Sequence, residues 1–336
     1  MSSSVKISGS SLALVAPLDL TEACLATPAF RAIKNARPDL SPVILCPKSA
    51  VPFWSIHFAQ ILPYDETASA QQLAERFSSG TFHSAIILED SRAARALSRL
   101  GIPQRLGREC AELKNLLSEP ISIATAVGPP RHKVTLYLDL IDKIGCSTNN
   151  PANFSPPARL PRPQVPRIAL APDSDFGPSA QWPIESFHQF TELLAKTHEV
   201  EFFLVSLPGK SPATDALSQL LQKQKPSKGK KSQTGGDINL GNLLEMLPTF
   251  TALVGGNSTL IHLAAHLGLP TVALMGPHSP ITHRPLGRIH EVLTTHAECS
   301  PCNLKKCPLD HRCLNELTPE AVTQATIRLL DAKPLQ

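Results

Sequence analysis

Short apolar runs that alternate with stretches of helical periodicity along the 336 residues predict an α/β protein of two doubly wound parallel sheets. Three observations carry this. The stretch ALVGGNSTLIHLAAHLGLPTVALMGP, Ala252 to Pro277, reads as strand, glycine turn, helix and strand. The run SLALVAP, Ser11 to Pro17, begins the same alternation at the start of the chain. Between the two halves, NNPANFSPPARLPRPQVP has a proline density that no helix or strand interior tolerates, and it marks a domain boundary.

A chain of this length with 42% hydrophobic residues fills two cores more readily than one. The net charge of +4 suits an anionic substrate, and basic stripes interleaved with aromatics, the mark of a nucleic-acid binder, are missing. Leu12 to Pro17 is too short for a signal peptide, and Asp19 and Glu22 interrupt it, so the reading is a cytoplasmic protein without a spanning helix. Cys24, Cys46, Cys110 and Cys146 are scattered, as reduced core thiols are.

In the first half, the strand Ser11 to Pro17 leads through a turn at Asp19 to Thr21 into a helix from Glu22 to Ala36. Pro28 is expected to kink that helix or set its first turn. Val43 to Cys46 and Ser84 to Leu88 read as strands, the latter ending in Glu89 and Asp90. Helices are expected over Ser49 to Phe58, Ala70 to Phe77, Arg92 to Leu100 and His132 to Ile144.

The second half opens with the strand Arg167 to Ala171 and the loop PDSDFGPSAQWP. A helix follows from Pro183 to Lys196, with Trp182 as its core anchor. Phe202 to Ser206 is a strand, Gln222 to Gly236 a basic solvated loop, and Asn239 to Leu247 an amphipathic helix. Gly255 and Gly256 are expected to end the next strand at Val254. Asn257 or Ser258 would then cap a helix stopped by Gly268 and Pro270, and Thr271 to Met275 is the following strand. Thr318 caps a last helix to about Leu330.

Two features suggest chemistry. His262 lies near the amino end of its helix, where orphan N–H groups favour a phosphate, and His278, His283 and Arg284 sit in a nearby loop. Cys299, Cys302, Cys307 and Cys313, spaced C-x2-C-x4-C-x5-C with His311 in reserve, are too close together for independent core thiols. They suit a structural zinc or a redox-sensitive loop.

Thr27-Pro28-Ala29-Phe30-Arg31-Ala32-Ile33, then Phe176-Gly177-Pro178 with Trp182-Pro183, Asn257-Ser258 with His262, and Gly276-Pro277 follow one another in a particular order and spacing. Together they resemble glycosyltransferase family 9, which contains the ADP-heptose:lipopolysaccharide heptosyltransferases. The loop at 172–183 is most similar to the form in its heptosyltransferase II branch. The resemblance spans nearly the full chain and implies the GT-B fold, two Rossmann-like domains facing a central cleft. Residues 1–150 would bind the acceptor, 151–166 would be a Pro-rich linker, and 167–317 would bind the nucleotide sugar. A helix in 318–336 would cross back to the first domain.

The resemblance further implies inverting transfer of a heptose or related sugar from an ADP-sugar to the lipopolysaccharide inner core. Glu22 stands where the family has its Asp base. Asn257, Ser258, Thr259, His262, Phe176, Gly177, Gly276 and Pro277 would bind the donor. No cofactor is needed for catalysis, and a structural zinc would belong to the cysteine loop. The partners implied are ADP-heptose, the lipopolysaccharide core and a peripheral contact with the cytoplasmic face of the inner membrane, with no nucleic acid. The chain departs from the family at Thr21 (Gly), Glu22 (Asp), Ala180 (Lys), Asn257 (Asp) and Thr259 (Gly), with Lys210 as a possible substitute for the lost Lys. These departures keep open a second reading, a sugar-nucleotide-binding scaffold with weak or no activity. A dinucleotide oxidoreductase is disfavoured, because LDLTEAC after strand one lacks a glycine fingerprint.

Overall fold

The computed structural model describes residues 5–123, 128–157, 161–209, 211–223, 232–234 and 238–332. Lys210 and most of the basic run from Gln222 to Gly236 lie outside the described residues. The chain divides into two compact units, Met1–Ser155 and Pro156–Gln336.

The first unit alternates β1 (Ser11–Val15), α1 (Leu20–Ala36), β2 (Ser41–Pro47), α2 (Val51–Trp54), β3 (Ile61–Tyr64), α3 (Ala70–Phe77), β4 (Ser84–Ile86) and α4 (Arg92–Arg99). It continues with β5 (Gln104–Arg108), β6 (Glu119–Ile121) and α5 (Val134–Lys143). All its strands run parallel, in the order β3-β2-β1-β4-β5-β6. The chain therefore winds outward from β1 in one direction and returns to pair β4 on its other side, which makes β1 and β4 the switch point of the sheet.

The second unit repeats this plan. It comprises β7 (Arg167–Ala171), α6 (Ile184–Thr197), β8 (Glu201–Leu204), α7 (Pro212–Gln222), β9 (Ser232–Thr234), α8 (Leu240–Met246) and β10 (Ala252–Gly256). After these come α9 (Thr259–His266), β11 (Thr271–Leu274), α10 (Pro280–His283), β12 (His290–Leu293), α11 (Arg312–Asn315) and α12 (Pro319–Asp331). Its parallel order, β12-β11-β10-β7-β8-β9, puts the switch point between β7 and β10. Central strands of this kind are covered on both faces, so Leu12, Leu14, Ile168, Leu170 and Val254 are wholly buried.

Several boundaries differ from expectation for local physical reasons. α1 starts at Leu20 because Asp19 is its N-cap and accepts the Glu22 amide at 3.0 Å. The helix then runs on through Pro28, and the Thr27 hydroxyl bonds back to the Ala23 carbonyl at 2.7 Å. The helix expected over 49–58 shrinks to α2, entered by a 3-10 turn at Lys48–Ala50. In the proline-rich segment, Pro151–Phe154 form a 3-10 turn on α1. Arg31 donates to the Ala152 carbonyl at 2.6 Å, and the Asn35 amide reaches Asn153 at 2.7 Å. Trp182 is the anchor it was expected to be: it is 1% exposed, meets Phe187 edge-on, and donates its indole N–H to the Leu317 carbonyl at 2.9 Å. α12 packs on α6 and against β10, β11 and β12, with Val322, Ala325 and Leu329 in the same core as Trp182.

β10 does not stop at Val254 but continues through Gly255 and Gly256. The glycines serve close approach rather than strand breaking, since a Cβ on Gly256 would come within 2.1 Å of the Ala180 carbonyl oxygen. Gly256→Ala should therefore force backbone apart and cost about 3 kcal/mol, the upper range for overpacking. A urea-unfolding midpoint equal to that of the unmodified protein would contradict this packing.

Candidate active site

Ligands of doubly wound sheets bind outside the carboxyl ends of the strands, where connections on either side of the switch point diverge. In the first unit, the loops leaving β1 and β4 meet there. Glu89, three residues beyond β4, accepts the Leu18 amide at 2.9 Å. Burial is the main force that raises the Glu89 pKa. The Leu18 bond opposes it, and the nearby negative charges of Glu22 and Asp19 add to it. Glu22, on the first turn of α1, is half-buried and engaged at both carboxylate oxygens. Lys133 forms an ion pair with Oε1, and the Tyr137 hydroxyl donates to Oε2 at 2.5 Å. Burial first, and Glu22 second, push the Tyr137 pKa far above that of an ordinary phenol, so its hydroxyl remains a donor.

The site of the second unit is built from the loops leaving β7, β10 and β11. After β7, Asp173 accepts the Ala213 and Thr214 amides and the Thr214 hydroxyl, fixing the start of α7. The Ser174 hydroxyl donates to the Asn257 carbonyl at 3.2 Å. Asp175 then reaches the amino end of α9, where it accepts the Thr259 amide at 2.9 Å and the Thr259 hydroxyl at 2.5 Å. Ser258 is the N-cap residue of α9 by backbone conformation, yet its own hydroxyl is buried and makes no cap bond. Asp175 thus supplies from another loop an acceptor for the first helical amide, while the expected Ser258 side-chain cap is not made. One amide expected to face a phosphate is already bonded to a carboxylate.

Asn257 instead turns to His262, with its side-chain oxygen 3.1 Å from the imidazole Nε2, and both residues are buried. Phe176 meets His278 edge-on at 4.1 Å between ring centroids. Burial, and then the neighbouring His283, lower the His278 pKa to about 4, so this imidazole is neutral at pH 7 and offers no positive charge to a phosphate. Gly177 has φ 144°, and a Cβ there would meet the Lys305 carbonyl at 2.6 Å. A Cβ on Gly276 would meet Leu314 and the Cys313 sulfur, and the Pro277 carbonyl accepts the Asn303 amide at 2.9 Å. Ala180 is 1% exposed, and its carbonyl lies against Gly256.

The cysteine loop is what presses on these turns. His311 Nε2 lies 2.6 Å from the Ser179 carbonyl, Ser179 donates to the Leu304 carbonyl, and Ser300 donates to the Gly276 carbonyl at 2.6 Å. Cys299 is exposed, Cys302 and Cys307 are half-buried and Cys313 is buried. Burial, and then the charges of the other three thiols, raise the Cys313 pKa to about 11, so the four sulfurs are electrostatic neighbours. Among the described residues, no three His, Cys, Asp or Glu side chains are grouped closely enough to hold a metal ion as they stand. The structure thus gathers Phe176, Gly177, Asn257, Ser258, Thr259, His262, Gly276 and Pro277 into one unit and places Glu22 in the other. Sequence reasoning missed Asp175, Lys133 and Tyr137, whose partners lie 84, 111 and 115 residues away and leave no local pattern.

The model of glycosyltransferase family 9 (heptosyltransferase) matches residues 124–312. Lipooligosaccharide heptosyltransferase 2 of Haemophilus influenzae is 26% identical over 170 residues, which are 49% of this chain and 47% of the relative. The chain spans about half the length of the curated relatives it matches. Among solved structures, the ADP-heptose lipopolysaccharide heptosyltransferase II of Escherichia coli superposes with a TM-score of 0.73 at 21% identity, covering 95% of this chain and 98% of that one. A family 9 glycosyl transferase of Veillonella parvula gives 0.78 at 17% identity, with 97% and 99% covered. The fold is GT-B, with two parallel-sheet α/β domains.

Asp175→Ala leaves the first amide of α9 and the Thr259 hydroxyl without their acceptor and should cost about 1 to 3 kcal/mol, the penalty for such an unsatisfied group. Because both bonds are made to one residue, the cost should fall well short of additive with Thr259→Ala in a double-mutant cycle. Fully additive losses in thermal unfolding would mean that the two side chains do not act as a pair.

Proposed function

The chain belongs to glycosyltransferase family 9, and we propose that it moves a heptose from ADP-heptose onto the inner core of lipopolysaccharide, with inversion at the anomeric carbon. The observation that carries this reading is Glu22. By the sequence resemblance its carboxylate takes the family's base position; it lies on the first turn of the helix that leaves the switch-point strand, with both oxygens held. In this scheme Glu22 takes the proton of the acceptor hydroxyl while that oxygen attacks the anomeric carbon and ADP departs. Charge growing on the departing diphosphate is met by His262 and the Ser258 hydroxyl at the amino end of α9. Phe176, Gly177, Gly276 and Pro277 shape the donor pocket, and no step needs a cofactor.

A second reading, donor binding with little turnover, is favoured by one observation. Asp175 already accepts the Thr259 amide and hydroxyl, at the place where the diphosphate is expected. Isothermal titration with ADP-heptose beside a product assay separates the two, since binding without product selects the second. The acceptor implies a site of action at the cytoplasmic face of the inner membrane. The contact proposed with that face is peripheral, and no helix among the described residues is long and apolar enough to cross a membrane.

Glu22→Gln should lower turnover by about 10²- to 10⁴-fold, the range for removing a general base, with the ADP-heptose dissociation constant unchanged. Undiminished turnover in this variant would remove Glu22 from the chemistry. For the cysteine loop we propose a structural role, with zinc as the ion that Cys299, Cys302, Cys307 and Cys313 would close upon. Elemental analysis of protein purified without chelator should then find near one zinc per chain, and much less in Cys302→Ser. A metal-free parent protein would assign the thiols to packing alone.

A further inference from the structure

The carboxylate of Glu22 meets two donors at the start of α5, one from its N-cap residue and one from its first turn. Lys133 Nζ pairs with Oε1 and the Tyr137 hydroxyl donates to Oε2 at 2.5 Å, and the two donors are one helical turn apart. An ionised carboxylate has about four lone-pair sites, so one remains open on each oxygen for an incoming proton. The other charged groups facing Glu22 are Asp19, at the N-cap of its own helix, and Glu89, beyond β4. Both are acidic, and Lys133 is the basic group beside them. Glu22 also carries one more rotatable bond than the Asp of the family, so its carboxylate has more positions to lose if left unheld.

We propose that Lys133 and Tyr137 are positioning residues, a fork at the start of α5 that fixes the long Glu22 side chain with one lone pair directed at the acceptor hydroxyl. The proposal rests on the reading of Glu22 as the base. In the step it serves, the acceptor O–H bond breaks and its proton passes to Glu22. The acceptor oxygen bonds to the anomeric carbon, and the electron pair of the cleaved C–O bond leaves on the diphosphate. Glu22 later returns the proton to water. The Tyr137 hydroxyl, half-buried and beside a carboxylate, is held as a donor throughout.

Two readouts test this. The first needs no substrate: carbon-13 carboxyl NMR of Glu-labelled protein, with the Glu22 signal identified by its loss in Glu22→Gln. Its titration midpoint should rise by about one pH unit in Lys133→Gln, the usual effect of removing a neighbouring opposite charge, and return in Lys133→Arg. Tyr137→Phe should raise it in the same direction. The second is the pH profile of kcat/KM with ADP-heptose and a core acceptor. Its acid limb should move upward with the NMR midpoint, while Tyr137→Phe lowers kcat about tenfold at an unchanged donor KM. A midpoint and acid limb that stay in place in both variants, with Glu22→Gln inactive, overturn the fork and leave the base reading standing. Full turnover in Glu22→Gln overturns the base reading, and the fork's catalytic role with it.

Discussion

At the switch point of each sheet, a carboxylate from one loop accepts a backbone N–H from the loop across the gap. Glu89 takes Leu18 in the first unit and Asp175 takes Thr259 in the second. Diverging connections leave amides at the carboxyl ends of the strands with no ladder partner, and such groups must find an acceptor or remain in water. A carboxylate satisfies them at short range, but it brings a negative charge into the place where a ligand would sit. The rest of each site is arranged around that charge. Near Glu89 the second acid, Glu22, is balanced by Lys133. Near Asp175 the imidazole of His262 faces the neutral amide of Asn257 rather than a further acid.

The positions at which the sequence resemblance implies departures from the family pattern form linked sets in the structure. Thr259 in place of Gly looks like an obstacle to a phosphate, yet its hydroxyl and amide together engage Asp175. Glu22 in place of Asp is longer, and α5 supplies two donors that meet its extra reach. Ala180 in place of Lys is buried where its carbonyl lies against Gly256, so the position serves packing in this chain. Each change taken alone suggests damage, whereas each seen with its contacts is accommodated.

Much of the architecture was legible because long periodic segments identify themselves. α3, α4, α6, α9 and α12 fall close to their expected bounds, and Trp182 is the core anchor its place beside Pro183 suggested. The strands that escaped notice, β3, β5, β6, β9 and β12, are three to five residues long and lie toward the edges of their sheets. An edge strand carries little alternation and often holds polar residues, so QRLGR and SQT give no apolar run to detect. The site was legible only in part, because His262, Ser258 and Glu22 follow strand ends directly. Asp175, Lys133 and Tyr137 act through contacts that only the folded chain creates.

The order of strands in the second sheet also bears on how the chain reaches this state. β7 forms the centre with β10, and the bond from the Arg167 amide to Thr251 joins residues 84 apart. As the polypeptide emerges from the ribosome, β7 and β8 are complete well before β10 exists, and the apolar edge of β7 waits for its partner. Pairing over such separations is slow because loop-closure entropy is lost before the contact is gained. Until β10 is made, the nascent second unit therefore exposes an unpaired central strand, the kind of edge on which partly folded chains associate.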